Sequence, residues 1–312
     1  MYNNKIKSFV LVLLSALFFS ACAEPNNIEN ITLIDDKDII SNDEEEIVDN
    51  YDGTILEEDT TEIPNDSNLV KKDGVFSIVK MTMYDGKDNC LGYIYSSYDV
   101  NDALLREYCV NADGIFLRSY DYEVDSYGNR TKYTLTEADE IFPTTNYVNE
   151  YDDNNNIIKH TTLKDEGYDY TEYFYDDKNQ LVKRLEHILN IINEKEYPYE
   201  YRYEYEYDSK GNIVNEFFYD DLENKRVYLY QYEYDSNDYL VKKIYYSGEE
   251  ISSIYIYKND INGNKIKIEE YNDNNELKKE SNYVYDNNGN IIKFNQKDKD
   301  GNIIDLRIYE YY

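Results

Sequence analysis

Acidic side chains set one or two residues apart are the commonest chemistry-bearing feature of this 312-residue chain. Two carboxylates facing each other across a cleft could serve as the acid and base of a glycosidase. Asp-x-Asp and Asp-x-Asn runs could begin to wrap a calcium ion, and Asp298-Lys-Asp300-Gly-Asn302 and Asp260-Ile-Asn262-Gly-Asn264 open in that way. They leave the pattern at the glycine, which stands fourth; an EF-hand loop needs Gly sixth and a bidentate acid twelfth. Turn chemistry accounts for the same residues without a metal. His160 and His187, the two histidines, have no cysteine or second histidine at ligand spacing, so no zinc set is expected. Nucleophile elbow, phosphate loop and dinucleotide fingerprint are all missing. Where acids alternate with rings, as Glu204 and Glu206 do among Tyr203, Tyr205 and Tyr207, the simpler reading is the solvated face of a strand. The expectation is a protein that is not an enzyme, with no catalytic residue, metal or cofactor.

The 39 tyrosines offer different chemistry, because a ring face can stack on a sugar while its hydroxyl bonds to it. Their even spread argues first for structure. Cross-strand aromatic pairs contribute about 0.2–1 kcal/mol each, and tyrosine tolerates a wet hydroxyl. The chain has no Trp.

The elements that must carry these residues are legible in Tyr201-Arg-Tyr-Glu-Tyr-Glu-Tyr-Asp208-Ser-Lys-Gly211-Asn-Ile-Val. Rings alternate with charges at a period of two, which is a strand with one aromatic face. Asp208 to Gly211 reads as a type I turn with a left-handed fourth residue, the loop of a hairpin with a bulge. The same turn recurs at Asp125, Asp260, Asp286 and Asp298. At Asp99, Asp152, Asp176 and Asp235 its fourth residue is Asp102, Asn155, Asn179 or Asp238. Asn and Asp also tolerate the left-handed region. Weaker members start at Asp85, Asn111, Asp221 and Asn272, and spacing alone implies turns near 136, 164, 190 and 247.

Seventeen turns in series predict 18 antiparallel strands of about nine residues. The expected fold class is all-β: an antiparallel hairpin-repeat meander forming one long twisted or rolled sheet. The segment Leu181 to Ile192 has a competing helical reading, since Leu185, Ile188, Leu189 and Ile192 would share a helix face. A meander that stays open leaves its last strand, 303–312, with an unpaired backbone edge. That edge could pair with a partner or a second copy, unless the sheet curls and another segment covers it.

Three regimes divide the chain. Residues 1–21 carry Lys5 and Lys7, the apolar run Phe9 to Phe19, then Ser20-Ala21 before Cys22, as a secretory signal does. The order Phe-Ser-Ala-Cys resembles the lipobox of bacterial lipoproteins, although Phe19 replaces the usual leucine. That resemblance implies acylation of Cys22 and a membrane anchor; the alternative is a plain secreted protein cut nearby. Residues 22–72 are expected to be a disordered acidic spacer, with 16 Asp or Glu and a single basic residue, Lys37, between Glu24 and Asp66. Residues 73–312 form the tyrosine-rich repeat domain. A net charge of −33 argues against nucleic acid as a partner. Cys90 and Cys109 fall on neighbouring strands outside the cytoplasm, where a disulfide is possible. Hairpin pairing leaves them out of register, so free thiols are an equal alternative.

The units Tyr205-Glu-Tyr-Asp-Ser-Lys-Gly-Asn-Ile, Tyr232-Glu-Tyr-Asp-Ser-Asn-Asp-Tyr-Leu and Tyr283-Val-Tyr-Asp-Asn-Asn-Gly-Asn-Ile resemble the YD repeats of the RHS family, with Asn in place of the usual Arg. Large members wind such repeats into a β-shell around a toxin. This chain has too few repeats for that and no cargo, so the resemblance implies surface display and adhesion-type binding. The expectation is a lipid-anchored extracytoplasmic lipoprotein whose repeat sheet binds an extracellular protein or glycan. A structural envelope spacer is the alternative, and a glycan-acting enzyme a distant third.

Overall fold

A computed structural model describes residues 76–138, 140–164, 167–192, 195–220 and 225–312. The signal sequence, Cys22 and the acidic spacer lie outside the described residues.

No helix occurs among the described residues; the chain is a succession of strands. They are β1 (Ser77–Tyr84), β2 (Cys90–Tyr98), β3 (Leu104–Asn111), β4 (Phe116–Val124) and β5 (Arg130–Glu137). A two-residue β6 (Glu140–Ile141) precedes β7 (Thr145–Tyr151), β8 (Ile157–Leu163), β9 (Tyr168–Tyr175) and β10 (Leu181–Ile192). Then come β11 (Lys195–Tyr207), β12 (Ile213–Asp220), β13 (Lys225–Tyr234), β14 (Leu240–Ser247) and β15 (Glu250–Asn259). The chain finishes with β16 (Lys265–Tyr271), β17 (Leu277–Tyr285), β18 (Ile291–Asp298) and β19 (Ile303–Tyr311). Leu181 to Ile192 is a strand, so the helical reading of that segment is discarded. Sequential strands pair antiparallel throughout, except that β5 pairs with both β6 and β7.

One device builds the turns. The Asp208 side chain accepts hydrogen bonds from the backbone N–H groups of Lys210 and Asn212, at 2.9 Å each. Asp85, Asp99, Asp125, Asp152, Asp176, Asp235, Asp260, Asp286 and Asp298 repeat the pattern with the residues two and four further on. Gly211 sits at φ 93°, and Asn155, Asn179 and Asp238 occupy the same turn position at φ 64°. Left-handed backbone is what this turn requires there, and Gly, Asn and Asp supply it at low cost. After most turns the register slips at a bulge, as between Glu206 and Tyr207 and between Val284 and Tyr285. Bulges sharpen the right-handed twist of the sheet.

That twist corrects the expected open sheet. β1 pairs with β19 as well as with β2, in register from Val79↔Tyr311 to Tyr84↔Leu306. Ile78 and Tyr312 exchange N–H···O bonds at 3.0 and 2.9 Å. The result is a closed 18-stranded antiparallel barrel rather than a rolled or spiral sheet. A ring abolishes edges, and both sides of strand 303–312 are occupied, by β18 and β1. The free edge from which strand addition was expected does not exist. Followed from pair to pair around the ring, the register advances towards the C-terminal end of β1, so the strands tilt against the barrel axis. Barrels of this strand number leave a water-filled lumen.

Hand decides which face lines the lumen. The turn residues Asp85 and Asp208 aim their backbone N–H at the returning strand. Seen from the tyrosine side with β1 upright, successive strands therefore follow to the right. The register climbs in that direction, and sheets of L-residues twist in one hand only, so this view is from inside.

Candidate functional site: the barrel lumen

Tyrosines in the lumen divide into two rows with different work. The ring just before a turn Asp is a staple. Tyr207 donates its hydroxyl to the carbonyl of Leu181 at 2.8 Å. Tyr175, Tyr234, Tyr285 and Tyr311 do the same to Ile157, Ile213, Lys265 and Ile291, at 2.8–2.9 Å. Each acceptor begins the preceding strand, five residues after the previous turn Asp. Asn259 makes the equivalent bond to Leu240. Tyr175, Tyr207, Tyr234, Tyr285 and the C-terminal Tyr311 thus each lock one hairpin to the one before it, a structural role, whereas Tyr151 donates to the Asp125 carboxylate instead.

The second row lies two residues deeper and faces the position eight residues after the preceding turn Asp. Tyr122 donates to Glu107 Oε2 at 3.0 Å, and Tyr232 to Glu216 Oε2 at 3.2 Å. Read around the ring, that eighth position carries Glu107, Tyr133, His160, Arg184, Glu216, Lys243, Ile268 and Phe294. The belt is ionisable through most of its first six members and apolar in the last two. Burial raises the carboxyls of Glu107 and Glu216 above the usual range, against the opposing pull of their tyrosine bonds and of Arg130 or Arg184. Burial also lowers the Lys243 ammonium, which Glu216 partly restores.

Departures from the repeat mark two places. Five residues after the turn Asp, most units along this rim have an aliphatic side chain: Leu104, Ile157, Leu181, Ile213, Leu240 and Ile291. Two units have Arg130 and Lys265 instead. Arg130 stands 4.0 Å over the Tyr122 ring, beside Glu107. Lys265 stands 5.2 Å over the Tyr257 ring. Burial and the nearby Lys243 charge push its amine down to about 8. Lys243 itself lies 3.6 Å over the Tyr230 ring and 5.7 Å over that of Tyr232. Arg184 covers Tyr203 at 4.2 Å, and its Nε is buried without a hydrogen-bond partner. From β10 to β16 the lumen wall therefore combines ring faces with Arg184, Glu216, Lys243 and Lys265.

The outer wall is charged differently. Arg226 bonds both Glu204 and Glu206, and Lys267 bonds both Glu269 and Glu280. Lys242–Glu233, Lys132–Glu123 and Lys80–Glu310 add further pairs. Glu204 and Glu206 thus lie on the face opposite the tyrosines, but in ion pairs and with Glu204 only 19% exposed, rather than on a freely solvated face.

The other expected site residues fall elsewhere. Cys90 and Cys109 are not joined by a disulfide: Cys109 stands opposite Ile94, whereas Cys90 stands opposite Tyr84 at the start of β2. The calcium-like runs use Asp260 and Asp298 oxygens to accept turn N–H groups, and no cluster of metal-binding side chains exists among the described residues. His160 lines the lumen, stacked on Tyr147 and bonded to Asn149. His187 lies on the outer wall between Glu172 and Glu200, at 3.2 and 3.3 Å. Reading the repeat as uniform hid Arg130, Arg184, Glu216, Lys243 and Lys265. Aligning the units on their turn Asp and looking for charges at the fifth and eighth positions would have found them.

No protein-family model and no curated protein matches the chain. Among solved structures, a porin-like protein from Bacteroides uniformis is 12% identical, covering 76% of this chain and 97% of that one, with a TM-score of 0.40. A porin-like protein from Bacteroides vulgatus is 14% identical over 58% of this chain and 98% of that one, at 0.31. A TcdB2–TccC3–Cdc42 complex matches 74% of this chain and 15% of that one at 12% identity and 0.29. At such scores the function of these proteins does not transfer to this chain.

Proposed function

We propose that this protein is a cell-surface lipoprotein, anchored through Cys22, whose barrel is a binding module with a tyrosine-lined lumen that takes a saccharide. The RHS/YD-type resemblance of the repeats agrees with display and binding. One observation carries the reading: ionisable side chains replace aliphatic ones on the inside wall, beside ring faces. Burying a charge costs several kcal/mol unless it is compensated, and rule-breaking of that kind collects at functional sites. A structural spacer is the alternative reading, in which Lys265 and its contact with the Tyr257 ring only brace the wall. Ring faces with flanking hydrogen-bonding groups suit the alternating apolar and hydroxylated surfaces of a sugar.

A glycan array probed with the purified chain tests this. Tyr232→Ala, inside, should weaken the strongest signal about tenfold. Tyr228→Ala, which removes a ring 42% exposed on the outer wall, should not. Equal effects, or no binding to any glycan, would reject the lumen as the site. Palmitate labelling in the native host should depend on Cys22, and its absence from the wild type would reject the anchor.

A further inference from the structure

The tyrosine before the Asp152 turn breaks the staple rule, and its neighbours give the reason. In the staple position Tyr151 would bond to the Arg130 carbonyl, but the Asn149 side-chain N–H takes that carbonyl at 3.2 Å. Tyr151 instead donates its hydroxyl to Asp125 Oδ2 and accepts from Asn129 Nδ2 at 2.9 Å. Asn149 Nδ2 also reaches that Asp125 oxygen, at 3.2 Å. Tyr127, in the turn between β4 and β5, lays its ring against Tyr151 with centroids 4.6 Å apart, and it is 49% exposed. Three properties meet at this rim position: two phenol rings in contact, a carboxylate on one hydroxyl, and an opening to solvent through the other ring. Comparable pairs lack one of them. Tyr122, bonded to Glu107, is buried beside Tyr133 at 5.8 Å. Tyr228 is exposed 5.6 Å from Tyr246, whose hydroxyl goes to the Gln231 amide oxygen. A carboxylate takes up a phenol proton far more readily than an amide does.

We propose that Tyr127 and Tyr151 form an oxidative modification site, at which a one-electron oxidant, a peroxidase with hydrogen peroxide, joins the two rings as dityrosine. Tyr127 gives up an electron and releases its proton to water. Tyr151 gives up an electron while its proton moves to Asp125. The two phenoxyl radicals couple through a carbon–carbon bond between ring positions next to the oxygens. Those carbons then lose their hydrogens as protons, the oxygens regain theirs, and both rings are aromatic again. The pair yields two electrons and two protons in all, which reduce one hydrogen peroxide to two waters. Burial and the Asp125 bond push the Tyr151 phenol up to about 12, so at neutral pH it stays a donor to that carboxylate until it is oxidised. The link spans the seam where β5 meets β7, in register at Lys132↔Asn146 and Tyr133↔Thr145 among the described residues. On either side β4 and β5 share seven such pairs, and β7 and β8 share six. A covalent bridge from the β4–β5 turn to the end of β7 therefore reinforces the ring where its backbone pairing is thinnest.

Peroxidase and hydrogen peroxide applied to the full chain, followed by proteolysis and mass spectrometry, test the site. The main product should join the peptides holding Tyr127 and Tyr151, two hydrogens lighter than their sum, at about tenfold the yield of a Tyr228–Tyr246 link. Tyr127→Phe should abolish it. Asp125→Asn keeps the turn, because Asn111 and Asn272 accept the same backbone N–H bonds in theirs. That variant should form the link about tenfold more slowly, since no carboxylate takes the proton. The linked chain should melt about 5 °C higher, because the bridge closes a loop from 127 to 151 in the unfolded state. Equal yields at Tyr127–Tyr151 and Tyr228–Tyr246, or no dityrosine at all, would overturn the site. An undiminished rate in Asp125→Asn would overturn the proton transfer, and an unchanged Tm after linkage would overturn the reinforcement of the seam.

Discussion

Removing one staple hydroxyl measures how much the tyrosine before each turn contributes. Tyr207→Phe keeps the ring and deletes the 2.8 Å bond to the Leu181 carbonyl. A net protein hydrogen bond is worth about 0.5–1.5 kcal/mol, and water in the lumen can reach the freed carbonyl, so about 1 kcal/mol is expected. For a chain of this size that lowers Tm by about 3 °C. Staples recur on alternate strands, about 10 Å apart, a separation at which such losses add. Changing Tyr175, Tyr207, Tyr234, Tyr285 and Tyr311 together should therefore cost about 5 kcal/mol and about 15 °C. Urea and thermal unfolding followed by far-UV dichroism read both values. Tyr228→Phe on the outer wall is the control and should stay within about 0.5 kcal/mol. A fivefold variant that loses less than about 1 kcal/mol, or a control as damaging as Tyr207→Phe, would refute the staple.

Two further outcomes follow from closure and burial. Removing residues 303–312 deprives both β1 and β18 of a neighbour. With each lost backbone bond worth about 1 kcal/mol, Tm should fall by more than about 10 °C; a truncated chain that melts normally would contradict ring closure. Burial pushes the phenols of Tyr151, Tyr207, Tyr283 and Tyr311 up to about 12. Neutral tyrosine is favoured in the folded state, so this stability is intact below about pH 10 and is lost as the pH rises towards 12. Phenolate absorbance should therefore climb steeply together with unfolding, and gradual titration near 10 in a barrel that stays folded would show the rings to be exposed.

Strand and turn were legible in the residues themselves because both depend on short-range chemistry. The period of two in Tyr201 to Tyr207 and the Asp-to-Gly spacing at 208–211 act within a few residues, and the 18-strand count follows from repeating them. Even Asn155 and Asn179 could be assigned to the left-handed position, since backbone sterics decide it locally. Closure could not be read this way. It is the accumulated result of every register offset and bulge from Met83/Tyr84 to Gln296/Lys297, and no single hairpin contains it. The same summation settles which face is inside, and thereby turns an alternating strand pattern into a tyrosine-lined lumen and an ion-paired exterior. Lys243 and Lys265 stand in separate units of the sequence, and only the curvature of β14, β15 and β16 brings their charges to bear on each other.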